Sequence, residues 1–294
     1  MEQPVFSRVV VIGAGTMGHG IAHVAAQAGA DVALHDVTDA AIAHGLGQIR
    51  GNLDKGVARG KLDAANAEAT MARLRPAPDL AAAVVDADLI VEVVPENLEL
   101  KRRVLGLAAA SAPPSAVIAS NTSSIPLRLL ADAVGGPGRL CGMHFFNPVH
   151  IQPLVEIVRA DGSDDGVVDA ALTFARQMGK EPIVVRDVAG FASSRLGLAL
   201  GLEAIRMVQE GVASAADIDS AMTLGYRHPM GPLALTDLVG LDVRLAIAET
   251  LAREIDGTRF APPQLLRDLV AAGKLGRKSG EGFYRYDAQG NRMG

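Results

Sequence analysis

Residues 8–22 read RVVVIGAGTMGHGIA, and the order of residue types in that stretch decides the fold. An apolar, β-branched run, Val9-Val10-Val11-Ile12, stops at Gly13-Ala14-Gly15-Thr16-Met17-Gly18, and a helix-type pattern follows. Gly13 and Gly15 permit a tight turn and let the main chain approach a pyrophosphate, while Gly18 lets the helix lie close to the strand. The free N–H groups at the helix start, together with the helix dipole, favour negative charge at that point. Gly-x-Gly-x-x-Gly alone is a common small-residue turn; the strand before it and the helix after it supply the context of a dinucleotide site. On this reading Gly13, Gly15, Thr16, Met17 and Gly18 form the coenzyme loop. A second apolar strand, residues 31–34, ends at His35-Asp36, and Asp36 lies roughly 20 residues past the glycines, where a ribose-binding acid is expected. A carboxylate there accepts from ribose hydroxyls and repels a 2′-phosphate, which favours NAD over NADP. The alternative is that Asp36 caps a loop and Asp39 meets the ribose.

Outward from this unit, residues 40–75 read as helical, with Gly47, Gly51, Gly56 and Gly60 breaking the run. Lys55, Arg59 and Lys61 gather there, and a solvated helix face is their plainest role. Residues 88–94, DLIVEVV, form the next buried strand and end at Pro95-Glu96-Asn97. A helix follows, with Leu98, Leu100, Val104, Leu105 and Ala108 on its apolar side. Residues 116–119 are a short strand opening onto the polar loop Ser120-Asn121-Thr122-Ser123-Ser124. Strands alternating with helices, several of them continuous apolar runs, indicate a Rossmann-like, doubly wound, mostly parallel sheet. Ligands bind outside the carboxyl ends of such strands, so residues 13–18, Asp36, Glu96 and residues 120–124 are expected to line one crevice.

Beyond residue 140 the pattern changes. CGMHFFNP (141–148) leads into a strand at 154–158, LVEIV, and a further strand at 183–185 precedes Asp187. Helices alone are expected after that. They run over 195–210, over a segment framed by Ser214 and Asp217 as a capping box and closed by Gly225, over 233–254, and over 263–272 with Gly273 as C-cap. The expected domains are therefore 1–186, the dinucleotide-binding domain, and 187–294, an all-helical C-terminal domain.

Composition agrees with this organisation. A chain of 294 residues can bury one large core or two moderate ones. Its residues are 49% hydrophobic and its net charge is −5, so there is no basic field to gather nucleic acid. Cys141 stands alone, which excludes an intrachain disulfide and a zinc cluster of thiolates. The first strand starts within ten residues of Met1, leaving no room for a signal or transit peptide. No apolar stretch is long enough to span a bilayer. The expected location is cytoplasmic.

Two residues point to chemistry beyond coenzyme binding. Glu156 alternates within its strand so that it shares a face with Leu154 and Val158. A carboxylate on an apolar face needs a partner. His144, twelve positions earlier, is the nearest candidate. An imidazole hydrogen-bonded to a buried carboxylate has a fixed tautomer suited to general-base work, which removing an alcohol proton while hydride passes to nicotinamide requires. The alternative is a structural histidine beside a strand glutamate that faces solvent.

GAGTMG, ENLELK, SNTSS, HFFNPV, LVEIV, GYRHPMGP and GRKSGEGFY occur in the order found in the 3-hydroxyacyl-CoA dehydrogenase family, which the chain resembles almost end to end. It is most similar to the free-standing, short-chain type that acts on 3-hydroxybutyryl-CoA. The resemblance implies that His144 is the catalytic base, Glu156 its orienting partner, and Ser123 a contact of both substrate and nicotinamide. It implies NAD contacts at Glu96, Lys101, Asn147 and Lys278, and places Lys55, Arg59 and Lys61 near the CoA moiety of an acyl-CoA substrate. The (S)-isomer at C3 and a homodimer through the C-terminal helical domain are inherited in the same way. No nucleic-acid or membrane partner is expected.

One position departs. The family's GFxxNR, whose Asn reaches the reacting oxygen and the thioester carbonyl, reads Gly190-Phe191-Ala192-Ser193-Ser194-Arg195 here. Ser194 stands at the Asn position, with one hydroxyl donor in place of the amide's two. A water bridges the difference, Ser193 or Ser194 approaches directly, or the preferred acyl group differs. Three rival readings remain at this point: a same-fold dehydrogenase of a non-CoA hydroxy acid such as a gulonate-type sugar acid, a hydroxyisobutyrate- or phosphogluconate-type enzyme, and a non-enzymatic NAD-responsive protein. The second needs a catalytic Lys on the interdomain helix, and residues 195–210 contain none.

Overall fold

The opening apolar run forms β1 (Arg8–Ile12), with Val9 to Ile12 all buried. It lies within an eight-stranded sheet in the computed structural model, which describes residues 3–293. The other strands are β2 (Asp31–His35), β3 (Leu74–Pro76), β4 (Leu89–Glu92), β5 (Val117–Ser120), β6 (Leu140–Phe145), β7 (Leu154–Arg159) and β8 (Glu181–Arg186). Their order is β3-β2-β1-β4-β5-β6-β7-β8. Neighbours pair in parallel except β6 and β7, which are antiparallel. The order reverses between β1 and β4, so the crevice of a doubly wound sheet opens at the carboxyl ends of those two strands.

Six helices cover this sheet: α1 (Thr16–Gln27), α2 (Asp39–Ala58), α3 (Ala64–Ala72), α4 (Leu80–Val84), α5 (Leu98–Ser111) and α6 (Asp165–Gln177). Thr38, Asp63, Asp79 and Asn97 cap α2, α3, α4 and α5 by accepting a main-chain N–H of the first turn. One side of the sheet shares a core with α1 and α6, which gathers Val9, Val11, Leu34, Val91, Met143, Phe145, Val155 and Ile157 of the strands with Ile21, Ala25 and Phe174 of the helices. The turn between β1 and α1 leaves no room for side chains. A Cβ on Gly18 would lie 1.7 Å from the carbonyl oxygen of Gly13, and Gly13 itself has φ +111.

Several local expectations change. Gly47, Gly51 and Gly56 do not break α2, which runs unbroken for 20 residues because Ile42, Ile49 and Leu53 bury its inner face and outweigh glycine's poor propensity. The interruption falls at Gly60, with φ +65. The short edge strand β3 begins inside the stretch 40–75 read as helical, and the strand β6 and the helix α6 lie outside the elements read from the sequence pattern. Gly142 and His144 disguise β6: a Cβ on Gly142 would meet Val158 of the adjacent strand at 2.7 Å, so the glycine is required there by packing.

The chain divides between Val188 and Ala189 into two units. The second contains α7 (Ser193–Gln209), α8 (Ala215–Ser220), α9 (Pro232–Val239), α10 (Leu241–Glu254) and α11 (Gln264–Ala271), around a core of Leu198, Leu202, Ile205, Leu233, Leu241, Leu251, Phe260 and Leu266. Ser214 caps α8 by accepting from the Asp217 N–H, but the α-helix stops at Ser220 and passes into a π turn, Ala221–Gly225. The expected helix over 233–254 is two, parted at Gly240, whose φ is +103. The tail after α11 is not helical throughout either. Isolated bridges join Gly276 to Glu281 and Tyr286 to Arg292.

Two buried aspartates organise that tail. Asp219 accepts from the N–H groups of Leu233 and Ala234 and from the Tyr284 hydroxyl, and Asp237 accepts from the N–H groups of Phe283 and Tyr284 and from the Tyr286 hydroxyl. Burial pushes the Asp237 carboxyl up in spite of those hydrogen bonds. A carboxyl whose folded value lies above its unfolded value stabilises the fold at low pH and loses that contribution as pH rises through the folded value. The melting-temperature difference between wild type and Asp237→Asn is thus expected to favour wild type most at about pH 4, the ordinary carboxylate range, and to shrink as pH rises. A difference that widens as pH rises contradicts the assignment. Among the described residues no helix is long and apolar enough to cross a membrane.

Candidate active site

The site grows from the antiparallel pairing of β6 with β7. His144 and Glu156 are direct cross-strand partners, so their side chains leave the same face of the sheet. Met143, Phe145, Val155 and Ile157 alternate to the opposite face and enter the core. Glu156 is fully buried and His144 is 5% exposed. The His144 Nδ1 to Glu156 Oε2 distance is 2.8 Å, and His144 Nε2 lies 3.1 Å from Ser123 Oγ. An ionised carboxylate only accepts, so Nδ1 carries the proton and Nε2 of the neutral ring is left as the basic nitrogen. The ring of Phe146 packs on the imidazole at 4.7 Å.

Ser123 is held by a polar network reaching back into the sheet. Glu92, the last residue of β4, is completely buried and accepts from Lys101 Nζ at 2.8 Å, from the Val94 N–H at 2.7 Å and from Ser120 Oγ at 2.7 Å. Lys101 is 1% exposed, and its ammonium also donates to the Val94 carbonyl and pairs with Glu96 at 3.4 Å. One oxygen of Glu96 then accepts from Thr122 Oγ1, the Ser123 N–H, and the N–H and hydroxyl of Ser124. Burial by itself pushes the Glu96 carboxyl up; the Lys101 charge and these hydrogen bonds outweigh it and hold the group below its ordinary range. Asn121 closes the arrangement by accepting from the Phe145 N–H at 2.8 Å, which ties the end of β5 to the end of β6.

The glycine loop lies at the end of β1. A Cβ on Gly18 would meet the Gly13 carbonyl and one on Gly13 the Val93 carbonyl at 2.8 Å, whereas a Cβ on Gly15 would meet nothing within 4 Å. The bare Gly15 backbone precedes α1 and leaves its N-terminus open, with no side-chain cap. A phosphate can therefore come directly to the helix start, which is what a dinucleotide requires. Asp36 is half-buried; its carboxylate accepts from the Ala14 N–H and from the Val37 N–H, both at 2.7 Å. The same carboxylate thus braces the loop, the structural role that the second reading of Asp36 gives it.

Comparison with known proteins bears on which dinucleotide and which chemistry. Residues 8–188 match the model of the 3-hydroxyacyl-CoA dehydrogenase NAD binding domain, and residues 190–286 match that of the 3-hydroxyacyl-CoA dehydrogenase C-terminal domain. The chain belongs to the 3-hydroxyacyl-CoA dehydrogenase family. It is an NAD-dependent oxidoreductase, and the open cradle at Gly15 with the acid at Asp36 fits that coenzyme. A probable 3-hydroxybutyryl-CoA dehydrogenase of Deinococcus radiodurans is 44% identical over 94% of this chain and 99% of its own length. A 3-hydroxybutyryl-CoA dehydrogenase of Bradyrhizobium diazoefficiens is 41% identical over 96% of each chain. The crystal structure of an (S)-3-hydroxybutyryl-CoA dehydrogenase from Ralstonia eutropha superposes with a TM-score of 0.93 at 38% identity, covering 96% of this chain and 99% of that one.

The structure brings His144, Glu156, Ser123 and Glu96 into one connected group. Lys101, an NAD contact by the resemblance, is 1% exposed, with its ammonium held by Glu92, which needs a counter-charge at full burial. Asn147 is exposed just beyond β6. Thr16 and Met17 open α1. Lys55 is in the last turn of α2, Arg59 follows as its C-cap, and Lys61 lies beyond Gly60; all three are exposed. Ser194 and Lys278 belong to the second unit, Ser194 as the second residue of α7 and Lys278 in a short turn where it pairs with Asp242 at 2.6 Å. Sequence reasoning set Ser120 and Thr122 in the crevice loop but missed Glu92. The signal for Glu92 was present as a lone charge inside the apolar run DLIVEVV.

Proposed function

We propose that the chain oxidises short-chain (S)-3-hydroxyacyl-CoA, typically 3-hydroxybutyryl-CoA, to the 3-oxoacyl-CoA and carries out the reverse reduction. The observation that carries this reading is the buried His144–Glu156 pair at 2.8 Å with Ser123 on the other ring nitrogen. Bound NAD supplies the acceptor for the hydride that leaves C3. His144 Nε2 takes the proton of the 3-hydroxyl, and the imidazolium that forms is stabilised through Nδ1 by Glu156. Ser123, held by Glu96, orients the same hydroxyl. In the reverse direction the imidazolium returns the proton to the forming alkoxide. General-base catalysis of this kind is worth about 10²–10⁴-fold, and positioning of the reactants adds to it. Lys55, Arg59 and Lys61 meet the phosphates of CoA, a role supported by their exposure in the first unit.

Ser194 and the dimer contact belong to the second unit. A homodimer through this unit is supported by large apolar side chains left exposed on α7, α9 and α10, among them Leu196 at 71%, Leu238 at 48% and Val243 at 40%. The cytoplasm, where NAD and CoA thioesters are at hand, suits this activity.

NADH oxidation with acetoacetyl-CoA, compared with free hydroxy and keto acids, tests the function directly. Turnover of acetoacetyl-CoA is expected, and turnover of free acids alone refutes the reading. In the same assay Ser194→Asn is expected to raise kcat/KM for acetoacetyl-CoA about two- to tenfold by restoring the amide's second donor, worth about one neutral hydrogen bond. If neither rate nor chain-length preference moves, Ser194 is a bystander.

A further inference from the structure

Two carboxylates of the first unit, Glu92 at the end of β4 and Glu96 just beyond it, share one ammonium. Lys101 Nζ lies 2.8 Å from a Glu92 oxygen and 3.4 Å from a Glu96 oxygen. Glu92 is completely buried and Lys101 nearly so, whereas the Glu96 side chain is 39% exposed. Replacing a buried ion pair by apolar residues of similar volume is often neutral or stabilising, so stability alone does not account for Glu92 and Lys101. The third member of the group does.

One oxygen of Glu96, Oε1, accepts from Thr122 Oγ1 at 2.6 Å, from the Ser123 N–H at 3.1 Å, and from the N–H and hydroxyl of Ser124 at 3.0 and 2.9 Å. Four donors converge on one oxygen only while the group is a carboxylate; a protonated carboxyl brings a hydrogen of its own and gives up acceptor capacity. The same donors seat Ser123, whose hydroxyl is 3.1 Å from His144 Nε2. Around the Glu96 carboxyl, α5 presents Lys101, β4 presents Glu92, and β6 presents His144 on the far side of Ser123, while residues 120–124 carry no charge. Burial favours the protonated form of Glu96, and the Lys101 charge is the largest effect opposing it. Glu92 in turn fixes that charge in place, because a fully buried carboxylate does not release its counter-ion.

We propose that Lys101, anchored by Glu92, is a positioning residue for the reaction: it keeps Glu96 in the charged form that holds Ser123 against His144. Its ammonium touches none of the reacting atoms and acts through Glu96 and then Ser123. This inference rests on the acyl-CoA reading above and specifies what keeps that site assembled on the acid side of neutrality.

Reduction of acetoacetyl-CoA by NADH at pH 5.5 and pH 7.5 tests it. In this direction His144 has to deliver a proton, so its own titration limits the alkaline side and leaves the acid side to Glu96. Lys101→Met strands Glu92 without a counter-ion and is expected to melt lower than wild type. The double variant Glu92→Gln with Lys101→Met removes both buried charges at nearly constant volume, and is expected to melt within about 4 °C of wild type. In each, the variant-to-wild-type ratio of kcat at pH 5.5 is expected to lie about three- to tenfold below its value at pH 7.5, with KM moving less than about twofold. Lys101→Arg keeps a cation there and is expected to recover about half of the loss or more. Glu96→Gln, at a partly exposed position, imitates the protonated group and should lower kcat about equally at both pH values, so it reads the proposal even if the buried variants fail to fold. A folded double variant whose ratio is the same at both pH values overturns the proposal, and so does a Glu96→Gln enzyme with the kcat of wild type. Weakened NADH binding of equal size at both pH values, with that ratio unmoved, overturns it too and makes Lys101 a coenzyme contact. A wild type that reduces acetoacetyl-CoA while the variants fail these comparisons leaves the proposed function standing, whereas one that does not reduce it ends both.

Discussion

Replacing His144 with glutamine is expected to lower kcat for acetoacetyl-CoA about 10²–10⁴-fold, the range carried by a positioned acid–base group. Glutamine fills most of the space of the ring and can still hydrogen-bond to Glu156 and Ser123 across the distances of 2.8 and 3.1 Å now bridged by the two ring nitrogens. It cannot gain or lose a proton near neutral pH, so the loss falls on chemistry and not on assembly. The coenzyme loop belongs to β1 and α1, at the other side of β4 and β5 in the sheet order. NADH affinity, read by fluorescence titration, is therefore expected to stay within about twofold of wild type, since no contact of that loop is removed. A variant that loses NADH binding together with activity makes His144 a structural residue. One that keeps kcat removes it from the reaction.

The second large effect concerns the turn that starts the fold. Gly18→Ala adds a Cβ that would sit 1.7 Å from the Gly13 carbonyl oxygen. The obstacle is main chain on both sides, so no rotamer relieves it and α1 must lift away from β1. That movement draws Ile21, Ala22 and Ala25, all at most 1% exposed, out of the core they share with the sheet. We expect a loss of about 3 kcal/mol or more, as for severe overpacking, and NADH binding weakened about 100-fold or beyond measurement. Gly15→Ala provides the contrast. Its Cβ meets nothing within 4 Å, so the fold is expected to survive while the approach of the pyrophosphate is impaired. Thermal melts with and without NADH separate the two. If Gly18→Ala melts with the wild type and is stabilised by NADH to the same extent, the close approach at this turn is not what sets the coenzyme site.

What the sequence made legible follows from how local each signal is. The strand–turn–helix of residues 8–22 carries its whole explanation within a few residues of itself, and the Ser214 cap of α8 does the same. The pairing of His144 with Glu156 was one of two open readings because it depends on the register of β6 against β7, which no spacing along the chain specifies. β6 escaped notice as a strand for a related reason: Gly142 and His144 look out of place until Val158 and Glu156 are set opposite them. Lys101 was set at the coenzyme by resemblance alone, which carries no record of what holds its ammonium. Its true neighbour, Glu92, is nine residues away on the preceding strand. The aspartates that hold the C-terminal tail reach 46 to 65 residues along the chain to their partners, and no periodicity records such a contact.

The facing arrangement of His144 and Glu156 bears on how this protein can change. Because the two residues are opposite each other on hydrogen-bonded strands, the connection between those strands, residues 146–153, has no part in setting their separation. Within that connection Phe146 packs on the imidazole and Val149 enters the core, so its exposed positions are the ones open to change. A slip of one residue along either strand is the change that cannot be tolerated, for it turns the acid to the far side of the sheet and leaves the ring without support. Drift in substrate choice among related chains should accordingly collect in that connection, and never in the alignment of the two strands that flank it.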